Sequence, residues 1–183
     1  YFYFCFMRFL PFIVCFISVL VISCNGNPNQ KKQPIITDID EHKIKNQFVE
    51  ANKQLLKKEN DEIDYYVKTH HQNFIKTQSG IRYFVLHTSK QGDSIKVNTK
   101  VTLNYTLSLL TGDVCYKSET NNPKQITVGN DDVESGLHRG LQYLKKGDKA
   151  VLILPSNLAH GLLGDFKKIP PQMPIIYEIE ILP

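Results

Sequence analysis

Two hydrophobic periods follow one another in the second half of this chain. Across residues 133–161, Leu137, Leu141 and Leu144 recur at the i, i+4, i+7 spacing of one helix face. After Gly147-Asp148 the pattern changes to the unbroken apolar run Ala150-Val151-Leu152-Ile153-Leu154, which stops at Pro155. A short helix therefore leads straight into a buried strand, and a helix that short is stable only with a sheet around it. Upstream, residues 99–109 alternate strictly. Val101, Leu103, Tyr105, Leu107 and Leu109 share one face, and Thr102, Asn104, Thr106 and Ser108 share the other, as in a half-buried antiparallel strand. Further strands are predicted over 81–87, 114–116, 125–129 and 174–182, set off by turn signals such as Gln78-Ser79-Gly80 and Thr111-Gly112-Asp113. The pattern predicts an α+β fold, a curled antiparallel sheet of five to six strands wrapped around one short helix.

The first half has a different texture. Residues 40–71 contain neither Gly nor Pro, and Ile44, Phe48, Leu55, Ile63, Tyr66 and Val67 fall at roughly helical spacing. This predicts a long amphipathic helix with a narrow apolar stripe. Its polar face mixes Lys with Glu, which favours packing on the domain or on a copy of itself over lying on a membrane. Residues 25–34, N-G-N-P-N-Q-K-K-Q-P, read as a polar tether. Residues 9–22, after Met7-Arg8, are an apolar run of about 14 residues, too short to span a bilayer comfortably and built like a secretory signal. Met7 is the expected start. The chain thus divides into a signal peptide (1–23), a tether (24–39), a helical extension (40–76) and a folded domain (77–183).

Composition narrows the chemistry. A net charge of +4 is modest, and Lys43, Lys45, Lys53, Lys57 and Lys58 alternate with Glu41, Glu50, Glu59 and Glu62. That is a solvated helix surface, so no nucleic-acid partner is expected. Of four cysteines, Cys5 and Cys15 belong to the signal and Cys24 to its end, which leaves Cys115 without an internal disulfide partner. The adjacent His70 and His71 point about 100° apart on a helix, and the chain has no C-x-x-C. No metal, cofactor, nucleophilic triad or paired-carboxylate site is expected.

An ordered series of short motifs is more specific. Val133-Glu134-Ser135-Gly136-Leu137, Gly140-Leu141, Leu144, Gly147, Leu154-Pro155, Leu158-Ala159-His160-Gly161 and Ile169-Pro170-Pro171 resemble, in order, the signature of FKBP-type peptidyl-prolyl cis-trans isomerases. Tyr105 before Thr111-Gly112-Asp113, and the closing Ile175-Ile176-Tyr177-Glu178-Ile179-Glu180-Ile181, extend the resemblance over about residues 77–183. Val21-Ile22-Ser23-Cys24 resembles the lipobox of bacterial lipoproteins, in which the cysteine is lipidated. With the tether and the long helix, the layout is similar to the gliding-motility-associated isomerase lipoproteins of Bacteroidetes.

The resemblance implies a membrane-anchored isomerase in the cell envelope, facing the periplasm, held by a lipid on Cys24 and acting on X-Pro bonds of exported proteins. It places Tyr105, Cys115, Val133, Leu137, Ile169 and Tyr177 on the walls and floor of an apolar pocket, with Tyr116 as a further site candidate. The Glu134 backbone N–H would meet one substrate carbonyl, and His160 would stand where the family usually has a tyrosine hydroxyl. By pattern alone Tyr105, Leu137 and Tyr177 read equally as core, Glu134-Ser135 as a helix start, and His160 as a surface loop residue. Cys115-Tyr116 replaces the common Phe-Asp, so macrolide binding is expected to weaken, and Tyr116 either fills the lost area or turns outward. A histidine at 160 predicts activity that falls as pH drops below about 6.5, where imidazole ordinarily gains its charge. The competing expectations are a non-catalytic scaffold that binds an envelope partner through the helix at 40–71, and a chaperone for unfolded chains.

Overall fold

The computed structural model describes residues 38–70, 72–119 and 121–183. The apolar run at 9–22, Cys24 and the tether therefore lie outside the described residues, and so does His71. By its contacts the chain divides into Tyr1–Lys45 and Asn46–Pro183. Of the first unit only the helical residues 38–45 are described, and the architecture below is that of the second.

Helix α1 (Asp38–Thr69) precedes a sheet of seven strands: β1 (Ile75–Lys76), β2 (Arg82–His87), β3 (Lys100–Leu109), β4 (Val114–Lys117), β5 (Lys124–Thr127), β6 (Lys149–Leu154) and β7 (Ile175–Ile181). Helix α2 (Ser135–Leu141) falls between β5 and β6, and one 3₁₀ turn (Ser156–Leu158) follows β6. All pairings are antiparallel, in the order β1-β2-β6-β7-β3-β4, with β5 also on β3. The seventh strand, beyond the five to six expected, is β1. Its two residues are exposed and carry no alternation that a sequence reading could detect. It exists because it pairs with Arg82 and Tyr83 of β2.

The ten-residue β3 is the spine. One edge pairs with β7 from Leu103 to Leu109, and the other is shared between β5 at Lys100–Leu103 and β4 at Thr106–Ser108. Val101, Leu103, Leu107 and Leu109 are buried as the alternation requires, whereas Tyr105, on the same face, stays half-exposed. A cavity opens beside it.

Helix α2 lies in the concave face of the sheet. Leu137, Leu141 and Leu144 are buried in the main core with Leu152, Leu154, Ile175 and Ile179. Two glycines set how deep it sits. A Cβ on Gly140 would stand 2.6 Å from Leu152 Cδ1, and one on Gly136 2.7 Å from the Leu158 carbonyl oxygen.

The convex face is covered as well. Ile63 of α1 packs with Ile153 and Ile176 in a second cluster that Tyr66, Val67 and Phe74 border. This explains why β6 reads as an unbroken apolar run, since both of its faces are covered. Buried Arg82, 1% exposed, adds a polar tie. Its Nη2 and Nε donate to Asp64 Oδ1 of α1 at 2.6 and 3.1 Å, and Lys76 Nζ reaches Asp64 Oδ2 at 3.0 Å. Burial opposes ionisation of Asp64, but the hydrogen bonds from Arg82 and Lys76 prevail and hold its carboxyl below its ordinary value. The predicted apolar stripe thus packs only over the last turns of α1: Phe48 remains 67% exposed, and Leu55 is also exposed. No described helix is long and apolar enough to cross a membrane.

Because a Cβ on Gly140 would stand 2.6 Å from Leu152 Cδ1, Gly140→Ala is expected to lower stability by about 1–3 kcal/mol, the usual cost of overpacking. Urea unfolding measures this, and an unchanged midpoint would show that the Leu152 side chain moves aside at no cost.

Candidate functional site

The half-exposed Tyr105 marks one wall of a cavity of about 700 Å³ between the concave face of the sheet, the start of α2 and the loop after β6. Strand geometry explains the walls. Tyr105 of β3 and Tyr177 of β7 point inward from paired strands, with ring centroids 5.7 Å apart and planes tilted by 57°. Such a tilted arrangement is favourable for aromatic pairs. Leu137 enters from the first turn of α2, with Val133 and Glu134 just before it. His160 and Ala159 come from the loop after the 3₁₀ turn, and Tyr116 comes from β4.

The structure therefore brings Tyr105, Tyr116, Val133, Glu134, Leu137, His160 and Tyr177 to one cavity, and leaves Cys115 and Ile169 out of its lining. Both of these expected wall residues are buried in the main core, at 3% and 2% exposure. For Cys115 the reason is a bulge. Leu107 pairs with Tyr116 and Ser108 with Val114, so Cys115 is the extra residue on its strand. Its thiol turns beneath the site and donates to the Lys168 carbonyl oxygen at 3.6 Å. Burial, then the nearby Asp165, pushes that thiol above its ordinary pKa, which keeps it protonated and unreactive. Ile169 is buried in the main core, and its backbone N–H donates to Asp165 Oδ1 at 2.8 Å.

Two carboxylates organise the polar side of the cavity. Glu134 accepts the Tyr177 hydroxyl on Oε2 at 2.9 Å, and its Oε1 lies 2.9 Å from His160 Nε2. The Glu134 side chain is 11% exposed and that of His160 27%. The part of Glu134 that the structure engages is thus its carboxylate, beyond the backbone N–H role expected for it. Imidazole geometry then constrains His160. With Nε2–H given to Glu134, Nδ1 is an acceptor in the neutral ring and becomes a donor only in the doubly protonated ring.

Asp165 was not signalled by any motif, because its role depends on a loop closing on itself. Its Oδ1 accepts the backbone N–H groups of Lys167, Lys168 and Ile169 at 2.8–2.9 Å, and its Oδ2 accepts the Tyr116 hydroxyl. Burial works against the charge, but the Tyr116 hydroxyl and the three N–H donors outweigh it and hold the carboxyl well below the usual range. Lys168 Nζ lies 5.3 Å from the centroid of the Tyr116 ring. Tyr116 thus turns into the site, and the hydrogen bond to Asp165, with burial next, pushes its phenol up to about 12. Burial, followed by Glu134, raises the phenols of both Tyr177 and Tyr105. All three stay neutral at physiological pH. The result is a cleft with Tyr105, Tyr116 and Tyr177 beside Leu103, Leu107 and Ile126 on its lining, in which Glu134 and Asp165 are already engaged. It suits an apolar ring with amide groups attached, bound without covalent chemistry.

Comparison with known proteins agrees with that character. A family model described as FKBP-type peptidyl-prolyl cis-trans isomerase matches residues 91–182. The FKBP-type isomerase FkpA of Buchnera aphidicola is 30% identical over 164 residues, covering 86% of this chain and 66% of that protein. FkpA of Escherichia coli is 32% identical over 120 residues, or 65% of this chain and 43% of that one. The chain spans less than two thirds of the length of these curated relatives. Among solved structures, a peptidyl-prolyl isomerase of Pseudomonas syringae aligns with TM-score 0.61 at 26% identity, over 72% of this chain and 93% of that one. FkpA of E. coli aligns with TM-score 0.59 at 26% identity, over 80% and 72%.

The Tyr116–Asp165 pair has a direct test. Replacing Asp165 with Asn removes the anion that disfavours tyrosinate, so the Tyr116 phenol is expected to titrate closer to pH 10, its ordinary range. Ultraviolet titration against a Tyr116→Phe control reads this, and an unmoved curve would refute the pair. The sign of the stability effect follows from the lowered Asp165 pKa. Its contribution is complete above about pH 4, the ordinary carboxylate value, and is lost as pH falls towards the folded value.

Proposed function

Because this chain belongs to the FKBP-type peptidyl-prolyl cis-trans isomerase family, we propose that its cavity takes the proline of an X-Pro segment and speeds rotation about the amide before it. The observation that carries this is the tilted Tyr105–Tyr177 pair, which lines one cavity together with Leu137 and Val133. Rotation about an amide faces a barrier of about 18–20 kcal/mol because resonance has to be broken. For X-Pro both isomers lie low enough to be populated. The planar amide is the charge-separated form and the twisted amide the less polar one. An aromatic wall that replaces water therefore penalises the planar state more and binds the twisted state better, which is catalysis by differential binding. Val133, Leu137 and Tyr105 supply that wall, and Tyr116 closes one side. Glu134 holds the Tyr177 hydroxyl and His160, which fixes the polar edge where substrate carbonyls arrive.

The wider setting is part of the same proposal. The apolar run at 9–22, Cys24 and the polar tether support a lipid-anchored protein of the cell envelope, acting on exported proteins from the periplasmic side. The layout also supports a role in gliding motility or surface-protein assembly. A second reading, a scaffold that holds an envelope partner through α1, draws on the exposed Phe48, Leu55 and Leu56 of that helix.

Protease-coupled isomerisation of a proline tetrapeptide tests the enzyme. The full chain is expected to accelerate the reaction. Tyr105→Ala is expected to lower kcat/KM about tenfold or more, equivalent to about 1.4 kcal/mol of lost transition-state binding. Absence of any rate above buffer, with partner capture lost on deleting 40–71, would turn the reading to the scaffold. Aggregation suppression that survives the Tyr105 change would instead indicate a chaperone. For the anchor, palmitate labelling is expected in the intact protein and absent after Cys24→Ala, and equal labelling of both would exclude Cys24.

A further inference from the structure

We propose that Glu59 on α1 is a positioning residue for the isomerase site, holding the loop that presents His160. The proposal rests on the isomerase reading above and adds the helical extension to the site. Glu59 is a carboxylate on a helix whose other described acidic residues are exposed, yet it is 8% exposed. Its Oε1 accepts the backbone N–H of Ser156 and its Oε2 accepts the Ser156 hydroxyl at 2.7 Å, across 97 positions of sequence. Both donors of one residue are therefore met by the two oxygens of one side chain. Exposed carboxylates on this helix do other work, pairing with lysines one turn away, as Asp61 does with Lys57.

From Ser156 the constraint passes along the chain. The Ser156 carbonyl oxygen accepts the N–H groups of Ala159 at 3.0 Å and Gly161 at 2.7 Å, the residues on either side of His160. The Gly161 carbonyl oxygen accepts the Gln172 N–H at 2.9 Å, so the turn is held from its far side too. Gly161 has φ +63°, a conformation that suits glycine and permits this tight return. His160 is thereby delivered with Nε2 2.9 Å from Glu134 Oε1, and Glu134 in turn holds Tyr177. The sequence of contacts runs Glu59, Ser156, Ala159 and Gly161, His160, Glu134, Tyr177. The other ties of α1, Ile63 to Ile153 and Ile176 and Asp64 to Arg82, end on the sheet. Glu59 reaches the loop. Without it, the Ser156 N–H and hydroxyl lose their buried partners and the loop has to reorganise to find others.

A double-mutant cycle in the full chain separates positioning from general support. The variants are Glu59→Ala, His160→Ala and their combination, with Ile63→Val as a control that loosens helix packing without touching the loop. We expect Glu59→Ala to lower kcat/KM on the tetrapeptide about fivefold, within the range that displaced site groups produce. In the His160→Ala background the same change is expected to cost less than about twofold, and Ile63→Val alone less than about twofold. Glu59→Gln, which keeps one acceptor oxygen, is expected to recover part of the rate and also serves if the alanine variant does not fold. An equal loss with and without His160, or no loss in either Glu59 variant, would overturn the proposal. Nitrogen-15 spectra of the His160 ring and the Gly161 amide give a readout that needs no catalysis. Glu59→Ala or Glu59→Gln is expected to shift both, and unmoved resonances would reject positioning. A wild-type chain with no isomerase rate would instead sink the isomerase reading, while the spectra still decide whether Glu59 sets the loop.

Discussion

The approach of α2 to the sheet is the contact on which the rest depends. Gly140 against Leu152 and Gly136 against Leu158 and Leu154 let the backbone of a seven-residue helix come down onto the leucine side chains of β6 and the carbonyl of the 3₁₀ turn. A helix so short has little stability of its own, so the sheet has to curl around it to bury Leu137, Leu141 and Leu144. The long β3 makes the curl possible by pairing with β7 on one edge and with both β4 and β5 on the other. Where α2 begins, it does not fill the concave face, and the space left between Leu137, Tyr105 and Tyr177 is the cavity. The site is the part of the interior that the core does not occupy.

Hydrogen bonds hold two carboxylates on the polar side of that cavity. Glu134 and Asp165 both line it, but each is spoken for. Glu134 faces Tyr177 and His160, and Asp165 faces Tyr116 and three backbone N–H groups. Hydrogen bonding to the charged form is what lets a carboxylate remain in such surroundings. The neighbouring phenols are in turn kept neutral, so the aromatic wall stays uncharged at physiological pH. Under the proposed isomerase function, an amide that loses charge separation as it twists would meet a surface suited to that change.

Helix α1 contributes more than a spacer does. Its last turns cover the convex face through Ile63, Tyr66 and Val67, tie to buried Arg82 through Asp64, and reach the His160 loop through Glu59. Sheet strands β6 and β7 are consequently covered on both faces. Over Phe48, Leu55 and Leu56 the helix carries apolar side chains in the open, which is where a partner would act if the scaffold reading holds.

Much of the fold was legible in the sequence because it is written in periods. The helical spacing of Leu137 and Leu141, with Leu144 buried just past the end of α2, the alternation of β3 and the apolar run of β6 each follow from which side of the chain meets the core. The family signature then gathered Tyr105, Tyr116, Val133, Glu134, Leu137, His160 and Tyr177, which the tertiary structure brings to one cavity. What the sequence could not contain is whatever depends on contacts between distant residues or on a broken period. A single-residue bulge sends Cys115 into the core and leaves Tyr116 in the site, and Ile169 is buried while Asp165 and Lys167 of the same loop line the cavity. Asp165 matters only because its loop closes on it, and β1 only because β2 lies beside it. Glu59 looked like one more solvated acid in a mixed-charge helix until the fold carried Ser156 to it across 97 positions. Periodicity is local and therefore readable, whereas a hydrogen bond between remote residues exists only once the chain has chosen which of its surfaces meet.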